Sequence, residues 1–292
     1  MRRLYLVTMV LLLILSGVQG VQAEQNQWKG YASFHATYIN FSNSPLKDDG
    51  WVFTGYGSLG DGKYHLLEGA ISQTYIDYKG RSDLNQTDFT VAYTNTNQIL
   101  PNHSFRFGFH YILSDDVLTD KGKTFFGKVT YFRPYDWNAG LELDYSLYDN
   151  QSPNLNVFQI LPHVGVYLKG LTPNGNLYAE SKFYYIHKDK NLDGLNKDNF
   201  FSFEQSLSWT LSPYDVKLSG WAGEQIFAVK NGGFVVYNLS DKYKGGISLE
   251  MGYTLINGVR IALNLDNEWL KHVGYSQTVR QSIFYLSIGT KF

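Results

Sequence analysis

The chain contains no cysteine. A disulfide framework, a thiolate metal site and a lipid anchor attached through cysteine are therefore all excluded. A large excess of charge of one sign is also missing, because 25 Lys and Arg stand against 26 Asp and Glu. Nucleic-acid binding requires a concentrated basic face, so we expect no nucleic-acid partner.

Long apolar runs are missing everywhere except at the N-terminus. Residues 1–23 begin with two arginines, continue with an apolar run from Leu4 to Leu15 and end on the small-x-small sequence Val21 to Ala23. This pattern is typical of a secretory signal peptide, and the run is shorter than the roughly 20 apolar residues of a spanning helix. We therefore predict a signal peptide over 1–23 and one mature domain over 24–292 without transmembrane helices.

Aromatic residues, by contrast, are abundant and make up 16% of the chain. The mean hydropathy is nevertheless slightly negative. The two properties together fit strands that have one lipid-facing and one wet face. Soluble all-β proteins can also be rich in aromatic residues, so composition supports a membrane barrel without deciding for it.

The last fifteen residues, from Thr278 to Phe292, alternate between apolar and mixed positions. In a soluble sheet such an apolar edge strand would promote aggregation, whereas a membrane barrel pairs it with the first strand. An ordinary sandwich strand remains the alternative. The segment resembles the C-terminal signature of bacterial outer-membrane β-barrels, which the barrel assembly machinery is thought to read. The resemblance implies an assembly signal formed by Phe284, Leu286, Ile288 and Phe292.

The mature chain divides into fourteen candidate strands separated alternately by longer and shorter connections. Seven longer loops and six shorter turns are the numbers required by a fourteen-stranded membrane barrel with both termini on one side. Two segments fit poorly, Tyr64 to Tyr78 and Phe227 to Lys244, so twelve or sixteen strands remain alternatives. We predict strands near Trp28–Phe41, Trp51–Leu59, Tyr64–Tyr78, Thr87–Asn97, Ser104–Ser114, Lys123–Arg133, Trp137–Tyr148, Leu155–Lys169, Asn176–His187, Phe200–Leu211, Asp215–Ala228, Gly246–Ile256, Gly258–Lys271 and Thr278–Phe292.

Within these strands apolar residues alternate with charged ones. Charged side chains that face lipid at the bilayer midplane cost roughly 2 to 4 kcal/mol each for Arg and Lys, so we place them in the lumen. The predicted pore-lining set is Arg106, Lys128, Glu142, Asp144, Glu180, Lys182, Glu204, Lys217, Glu250 and Arg260, with Asp266 and Glu268 on the same face. Aromatic residues near strand ends are predicted to form interfacial girdles: Tyr131, Tyr145, Tyr148, Trp209, Tyr253 and Trp269.

Catalytic and cofactor motifs are weak. Ser33 and His35 share one face of the first strand, and His103 lies next to Ser104, but neither pair has an identifiable third residue. The seven histidines form no close ligand pair along a strand. We therefore expect no enzyme activity, no metal and no cofactor, and a barrel hydrolase is the less favoured alternative.

Mature length, strand count and mixed wall charges are similar to those of monomeric porins of the outer-membrane protein G type. The resemblance implies a channel in the outer membrane of a Gram-negative bacterium, surrounded by lipid, through which small hydrophilic solutes or ions diffuse passively. It also implies that Val229 to Lys244 is a gating or constriction loop. Whether the protein is a monomer or a homotrimer stays open.

The alternative function is a scaffold, sheath or surface-binding barrel without an open pore. Bulky aromatic residues on the inward face would favour this alternative, because they could narrow or fill the lumen. The candidates are Phe126, Phe132, Tyr167, Tyr178, Tyr184 and Tyr285.

Overall fold

The protein is described by a computed structural model that covers residues 28–149, 154–172, 174–190, 192 and 194–292. The predicted signal peptide, 1–23, lies outside the described residues. Within those residues, no helix is long and apolar enough to cross a membrane. The strands are β1 (Lys29–Ser42), β2 (Lys47–Gly60), β3 (His65–Tyr78), β4 (Leu84–Thr96), β5 (His103–Ser114), β6 (Lys123–Arg133), β7 (Trp137–Tyr148), β8 (Leu155–Tyr167), β9 (Asn176–Lys188), β10 (Asn199–Leu211), β11 (Tyr214–Gln225), β12 (Val229–Lys230), β13 (Val235–Val236), β14 (Asp241–Thr254), β15 (Arg260–His272) and β16 (Val279–Lys291).

Fourteen of these strands form one closed antiparallel barrel in which neighbours in sequence are neighbours in space. The barrel closes where β1 pairs with β16, with Tyr31 opposite Lys291. Beyond that pair, the Gly30 N–H donates to the Phe292 carbonyl over 2.7 Å and the Phe292 N–H donates to the Gly30 carbonyl over 3.0 Å. The prediction of a single up-and-down barrel with fourteen strands is confirmed. The short strands β12 and β13 pair only with each other.

Large apolar side chains cover the outer face of the barrel. Because side chains alternate along each strand, the apolar side chains of every second position point outward. A soluble monomer would not expose so large a continuous apolar surface. These outward-facing side chains form a continuous surface that we call the apolar belt. Together with the closed sheet, the apolar belt excludes a sandwich with a dry interior between two sheets. The four predicted assembly-signal residues belong to it and are 51 to 53% exposed. Other members are Leu67, Ile71, Val91, Phe107, Phe125, Phe183, Phe201, Phe203, Leu218, Ile247 and Leu263.

The two ends of the barrel differ. The start of β1 and the end of β16 lie at one end, which we call the inner end. The longest connections, 189–198 and 226–240, lie at the opposite end, which we call the outer end. Longer connections are a property of the extracellular side of outer-membrane barrels, so the outer end is assigned to the cell exterior.

Several details of the sequence prediction were wrong. The strand predicted over Asp215–Ala228 ends at Gln225, because 226–228 fold into the barrel interior. The loop predicted from Ser42 to Gly50 is reduced to 43–46, because Lys47 begins β2 and its ammonium group is buried in an ion pair with Asp241. The strand predicted to start at Gly246 already begins at Asp241. Tyr148 is fully buried instead of lying in a girdle, since it shares the inward parity of Ser146.

The two segments that fitted poorly have different structures. Tyr64 to Tyr78 is a barrel strand, β3, which pairs along its length with β2 and β4. Phe227 to Lys244 adds no further crossing, because the chain between β11 and β14 folds into the barrel. The strand number is therefore fourteen, and the alternatives of twelve and sixteen are excluded.

Two apolar clusters fill part of the interior at the outer end. One is formed by strand ends of β5 and β7 to β10 together with 226–228, and the other lies between β1, β3, β4 and β14 to β16. A barrel of fourteen strands is too wide for wall side chains alone to fill its centre. Residues 226–228, which fold into the barrel, supply additional apolar groups.

Candidate functional site

The lumen contains residues 226–240, which we call the lumenal segment. It leaves β11, runs through β12, reverses at a 3₁₀ turn over Asn231–Gly233 and returns through β13 to β14. Gly232 and Gly233 have φ values of 58° and 89°, a region that glycine adopts at little cost. Its first residues, 226–229, are almost completely buried. The segment contacts strands on several sides of the barrel, which is possible only from inside.

Gln159 of β8 holds the start of the segment. Its Nε2 donates to the Val229 carbonyl over 2.8 Å, and its Oε1 accepts from the Val229 N–H over 3.1 Å. Nε2 also donates to Asp144 over 2.6 Å. The side chain thus pairs with the segment as a neighbouring strand would.

Arg106 of β5 organises the contacts around the turn. Its guanidinium group is ion-paired with Glu68 and donates to the Gly232 carbonyl over 3.5 Å. The same group lies 5.4 Å from the Phe234 ring centroid, within cation–π range. Gly233 sits directly on the Phe126 ring, where a Cβ atom would overlap the ring carbons. The turn is therefore packed closely against β5 and β6.

The opposite wall holds the segment through Glu268 of β15. The Tyr237 hydroxyl donates to Glu268 over 2.7 Å, and the Lys230 ammonium lies 3.9 Å from the same carboxylate. Lys230 also lies 4.5 Å from the Trp221 ring centroid. Because the ammonium group is compensated by a carboxylate and a ring, it can remain inside the barrel.

The end of the segment is held by a polar contact with β4. Asn238 donates to the Gln86 side-chain oxygen over 2.6 Å and to the Thr119 hydroxyl over 3.1 Å. All three residues are buried. The segment is thus fixed at its start, its turn and its end.

An elongated cavity of about 800 Å³ lies between the lumenal segment and the wall formed by β1 to β5 and β14 to β16. This volume is within the range of small-molecule sites, roughly 300 to 1,000 Å³. Polar groups line its inner and central part, including Ser33, His35, Thr54, Tyr56, Glu68 and Glu250. Apolar groups line its outer part, including Ile39, Phe41, Val52, Ile76 and Ile283.

The predicted pore-lining residues form ion-pair groups on the interior wall. Lys182 lies 3.2 Å from Glu180 and 3.5 Å from Glu204, and Lys128 lies 4.0 Å from Glu142. Arg260 lies 2.8 Å from Glu250 and 2.5 Å from Asp215, which the prediction had not included. Lys217 is the cross-strand partner of Glu250. Of the ten residues, all of which the structure describes, Arg106 and Glu250 border the cavity. Their role in lining a pore stays a prediction.

The inward aromatic residues are distributed unevenly. Phe126 and Tyr184 are buried against other groups of the interior, whereas Tyr285 borders the cavity. Tyr167 and Tyr178 pack against each other at the inner end, with ring centroids 5.0 Å apart and ring planes tilted by 51°. These side chains narrow the interior without filling it.

A serine, a histidine and an aspartate meet at the outer end in an arrangement that the sequence did not suggest. The Ser44 hydroxyl lies 2.8 Å from His272 Nε2, and His272 Nδ1 lies 2.6 Å from Asp241. However, Ser44 Oγ also accepts from the Lys47 N–H over 2.8 Å and from the Leu46 N–H over 3.2 Å. With both lone pairs of a buried oxygen occupied, Ser44 is not an available nucleophile, so the network is structural.

The histidine pairs noted in the sequence are no better suited to catalysis. Ser33 lies 2.8 Å from His35 Nε2, but the other ring nitrogen contacts the Tyr285 hydroxyl instead of a carboxylate. His103 Nδ1 contacts the Pro101 carbonyl over 2.9 Å. Within the described part of the chain, His, Cys, Asp and Glu side chains form no group of three that could hold a metal ion.

The sequence matches no protein-family model and no curated protein. Among solved structures it is similar to a Pseudomonas aeruginosa FadL homologue, with a TM-score of 0.54, 8% identity and coverage of 91% of this chain and 90% of the other. It is also similar to a bacterial polysaccharide outer membrane secretin, with a TM-score of 0.51, 10% identity and coverage of 92% and 100%. At such identities the likeness concerns the fold alone. Together with the apolar belt, it confirms the prediction of a bacterial outer-membrane β-barrel.

Proposed function

We propose that the protein is an outer-membrane channel through which small hydrophilic solutes diffuse passively, and that the lumenal segment is its constriction. The observation that carries this proposal is the cavity between the segment and one wall of the barrel. Its inner and central lining is polar, as the wall of a diffusion path for hydrophilic solutes must be. The segment occupies the remaining cross-section, so it sets the size of solute that can pass.

The wall charges favour weak selectivity. Five of the ten predicted pore-lining residues are basic and five are acidic. Seven of them are paired with each other within 4.0 Å, and Arg106 is paired with Glu68, so little uncompensated charge faces a passing ion. Asp266 and Glu268 add two carboxylates to the interior surface. We therefore expect at most a weak preference for cations.

A closed barrel is the second candidate function, and the apolar clusters at the outer end favour it. Ile112, Tyr148, Phe200 and Phe227 are fully buried there, and the lining of the cavity also becomes apolar in the same direction. Such a barrel would act as a scaffold or surface-binding protein and would conduct poorly. The two functions differ in whether removal of the segment is needed for conduction.

Single-channel recording in planar bilayers separates these possibilities. The informative variant replaces 230–237 with a short Gly-Ser linker, and the control receives the same linker in the inner-end turn 255–259. We expect small conductance steps from the wild-type protein and the control, and steps several-fold larger from the lumenal variant. Correct folding of each protein is verified by its heat-modifiable migration in gels.

Two results would contradict the channel. If the folded wild-type protein fails to conduct, whether or not the folded lumenal variant conducts, the barrel is closed and the second function is favoured. If all three proteins show identical steps, solutes pass elsewhere and the lumenal segment is not a constriction.

A further inference from the structure

Basic side chains are concentrated on one sector of the outer end, on the outward face of β14, β15 and β16 and on the nearby connection 189–198. We call Lys197, Lys242, Lys244, Lys271 and Arg280, grouped around Glu224, the outer basic cluster. The group contains five cations and one carboxylate. None of these charges faces the lumen, so the cluster is separate from the proposed diffusion path.

Three lysines of the cluster converge on a single carboxylate. Lys197 Nζ lies 2.6 Å from Glu224, Lys244 forms a close ion pair with the same group, and Lys242 Nζ lies 3.9 Å away. One carboxylate neutralises one ammonium group, so two positive charges remain. These residues are partly exposed, with Lys197 exposed by half, and an external anion can reach them.

The remaining two cations have no carboxylate partner within 4.0 Å among the described residues. Lys271 is the direct cross-strand partner of Lys242. Like charges placed opposite each other destabilise a sheet. Glu224 lies 3.9 Å from Lys242 but is shared by three lysines, and no described carboxylate lies within 4.0 Å of Lys271. Arg280 donates to the neutral Asn267 side chain over 2.8 Å, which leaves its charge uncompensated.

Backbone irregularities bring these side chains together. The β14–β15 ladder shifts between Tyr243 and Gly245, so Lys244 is the extra residue of a bulge. The β11–β14 ladder shifts between Ala222 and Gln225, directly beside Glu224. Bulges commonly redirect side chains at functional sites, and these two place Lys244 on Glu224.

The cluster lies at the membrane boundary. Trp269, an outward-facing aromatic residue that is 39% exposed, is the cross-strand partner of Arg280. Lys271 follows two residues further toward the outer end, about 7 Å along the strand. Tryptophan prefers the level of the lipid headgroups, so the cations lie at or just above that level.

The other sectors of the outer end are rich in acidic side chains, and no comparable cluster of unneutralised basic side chains is described there. Lysines there are paired with exposed carboxylates, as in Lys79 with Asp48 and Lys123 with Asp149. In the cluster's own sector, Lys230 is the single charged residue of the connections 226–240 and 273–278, and it points inward. Asp198, the chain neighbour of Lys197, lies 2.6 Å from Lys188, so this carboxylate is already paired outside the cluster. The acidic residues of the other sector are Asp48, Asp49, Asp77, Asp83, Asp115, Asp116, Asp120, Asp149 and Asp189.

From this arrangement we propose that the outer basic cluster binds the phosphate groups of a lipopolysaccharide molecule in the outer leaflet. Phosphate oxygens accept charge-assisted hydrogen bonds from Lys and Arg, and a dianionic group matches the two charges left over around Glu224. Basic side chains at a membrane surface attract anionic lipid headgroups. The acyl chains of the same molecule would lie against the apolar belt below. This inference depends on the outer-membrane fold and not on the channel function.

The test compares binding of lipopolysaccharide to the detergent-solubilised full-length barrel by native mass spectrometry. The variant is Lys242→Gln, Lys244→Gln, Lys271→Gln and Arg280→Gln combined, and the control is Lys79→Gln with Lys123→Gln. We expect at least about a tenfold loss of affinity in the variant at physiological salt and no loss in the control. Both proteins should retain heat-modifiable migration, since exposed ion pairs contribute little to stability.

Two further ligands identify the source of the recognised phosphate. Dephosphorylated lipopolysaccharide should bind the wild-type protein as weakly as intact lipopolysaccharide binds the variant. Inorganic phosphate should not raise the melting temperature of the wild-type barrel to the extent that lipopolysaccharide does. Equal affinity of variant and wild type, equal binding of the dephosphorylated lipid, or equal protection by free phosphate would each overturn the proposal.

Discussion

The side chain of Gln159 replaces a missing strand neighbour for Val229. It donates to the carbonyl of Val229 and accepts from its N–H group, at 2.8 and 3.1 Å. Both backbone groups are buried, and an unpaired buried donor or acceptor costs about 1 to 3 kcal/mol. One amide therefore supports the point at which the chain enters the lumen.

Replacement of Gln159 with Leu is expected to lower the free energy of unfolding by about 1 to 3 kcal/mol. The change keeps the approximate volume of the side chain but leaves the Val229 groups unpaired. Urea titration in detergent measures the loss, and bilayer recording should show more frequent current fluctuations. Gln205→Leu is the control, because Gln205 makes similar bonds on the exposed outward face. Equal effects of the two variants would show that Gln159 does not hold the segment.

A methyl group at Gly233 tests the close packing of the turn on Phe126. Gly233 and Gly258 both have positive φ, 89° and 83°, so alanine strains the backbone at either position. A Cβ atom at Gly233 would overlap the Phe126 ring, whereas nothing lies within 4 Å of a Cβ atom at Gly258. We expect Gly233→Ala to cost about 1 to 3 kcal/mol more than Gly258→Ala in urea titrations, which is the usual cost of overpacking. Equal costs would mean that the turn moves freely.

The ion pair between Lys47 and Asp241 is predicted to be a major stabilising contact. Both side chains are 3% exposed, so Asp241→Asn leaves a buried ammonium group without its counter-charge. The expected loss is about 3 to 5 kcal/mol in the free energy of unfolding. The control, Asp136→Asn, breaks an exposed pair with Lys169 and should cost less than about 1 kcal/mol. A loss in Asp241→Asn no larger than in the control would show that water reaches the pair.

The turn after β2 should make stability depend on pH below about 4. The backbone N–H groups of His65, Lys63 and Tyr64 donate to Asp61 and lower the pKa of its carboxyl to about 2. A lowered pKa contributes stability that is complete above the ordinary value near 3.8 and is lost as the pH falls through 2. The urea midpoint of the wild type should therefore exceed that of Asp61→Ala by a constant amount above pH 3.8, and this difference should shrink as the pH falls toward 2.

The control for this effect is Asn97→Ala, in the turn after β4. The Asn97 side chain accepts from the Asn102 N–H over 2.8 Å, but an amide does not titrate. The difference in urea midpoint between the wild type and Asn97→Ala should therefore be constant over the same pH range. A constant contribution from Asp61 as well would contradict the lowered pKa.

The barrel itself could be predicted from the sequence because alternation records which side of a strand is apolar. The bounds of β6 and β7 agree with the prediction to the residue. The error at Tyr148 arose when an aromatic residue near a strand end was assigned by type, although its parity placed it inward. Parity is the stronger signal, since a strand cannot turn one side chain to the other face without a bulge.

The interior contacts could not be predicted in the same way. Asp241 and His272 are cross-strand partners in the β14–β15 hairpin, but Ser44 is far from both in the chain. No periodic pattern connects the loop after β1 with that hairpin, because the two meet only when the barrel closes. The glycine pair at Gly232 and Gly233 lies at the reversal of the lumenal segment, where both residues have positive φ. What the sequence could not specify was the wall against which that reversal would pack.

The lumenal segment also affects the shape of the cylinder. Val229 is bonded to β8, while Phe234 packs on Tyr56 of β2, with ring centroids 5.6 Å apart. These two strands lie six positions apart around a ring of fourteen, almost at opposite ends of a diameter. The inserted chain therefore acts as an internal strut that resists flattening of the cross-section. If the lumenal segment were displaced, the open lumen would become wider. The barrel wall would then be free to deform in the plane of the membrane.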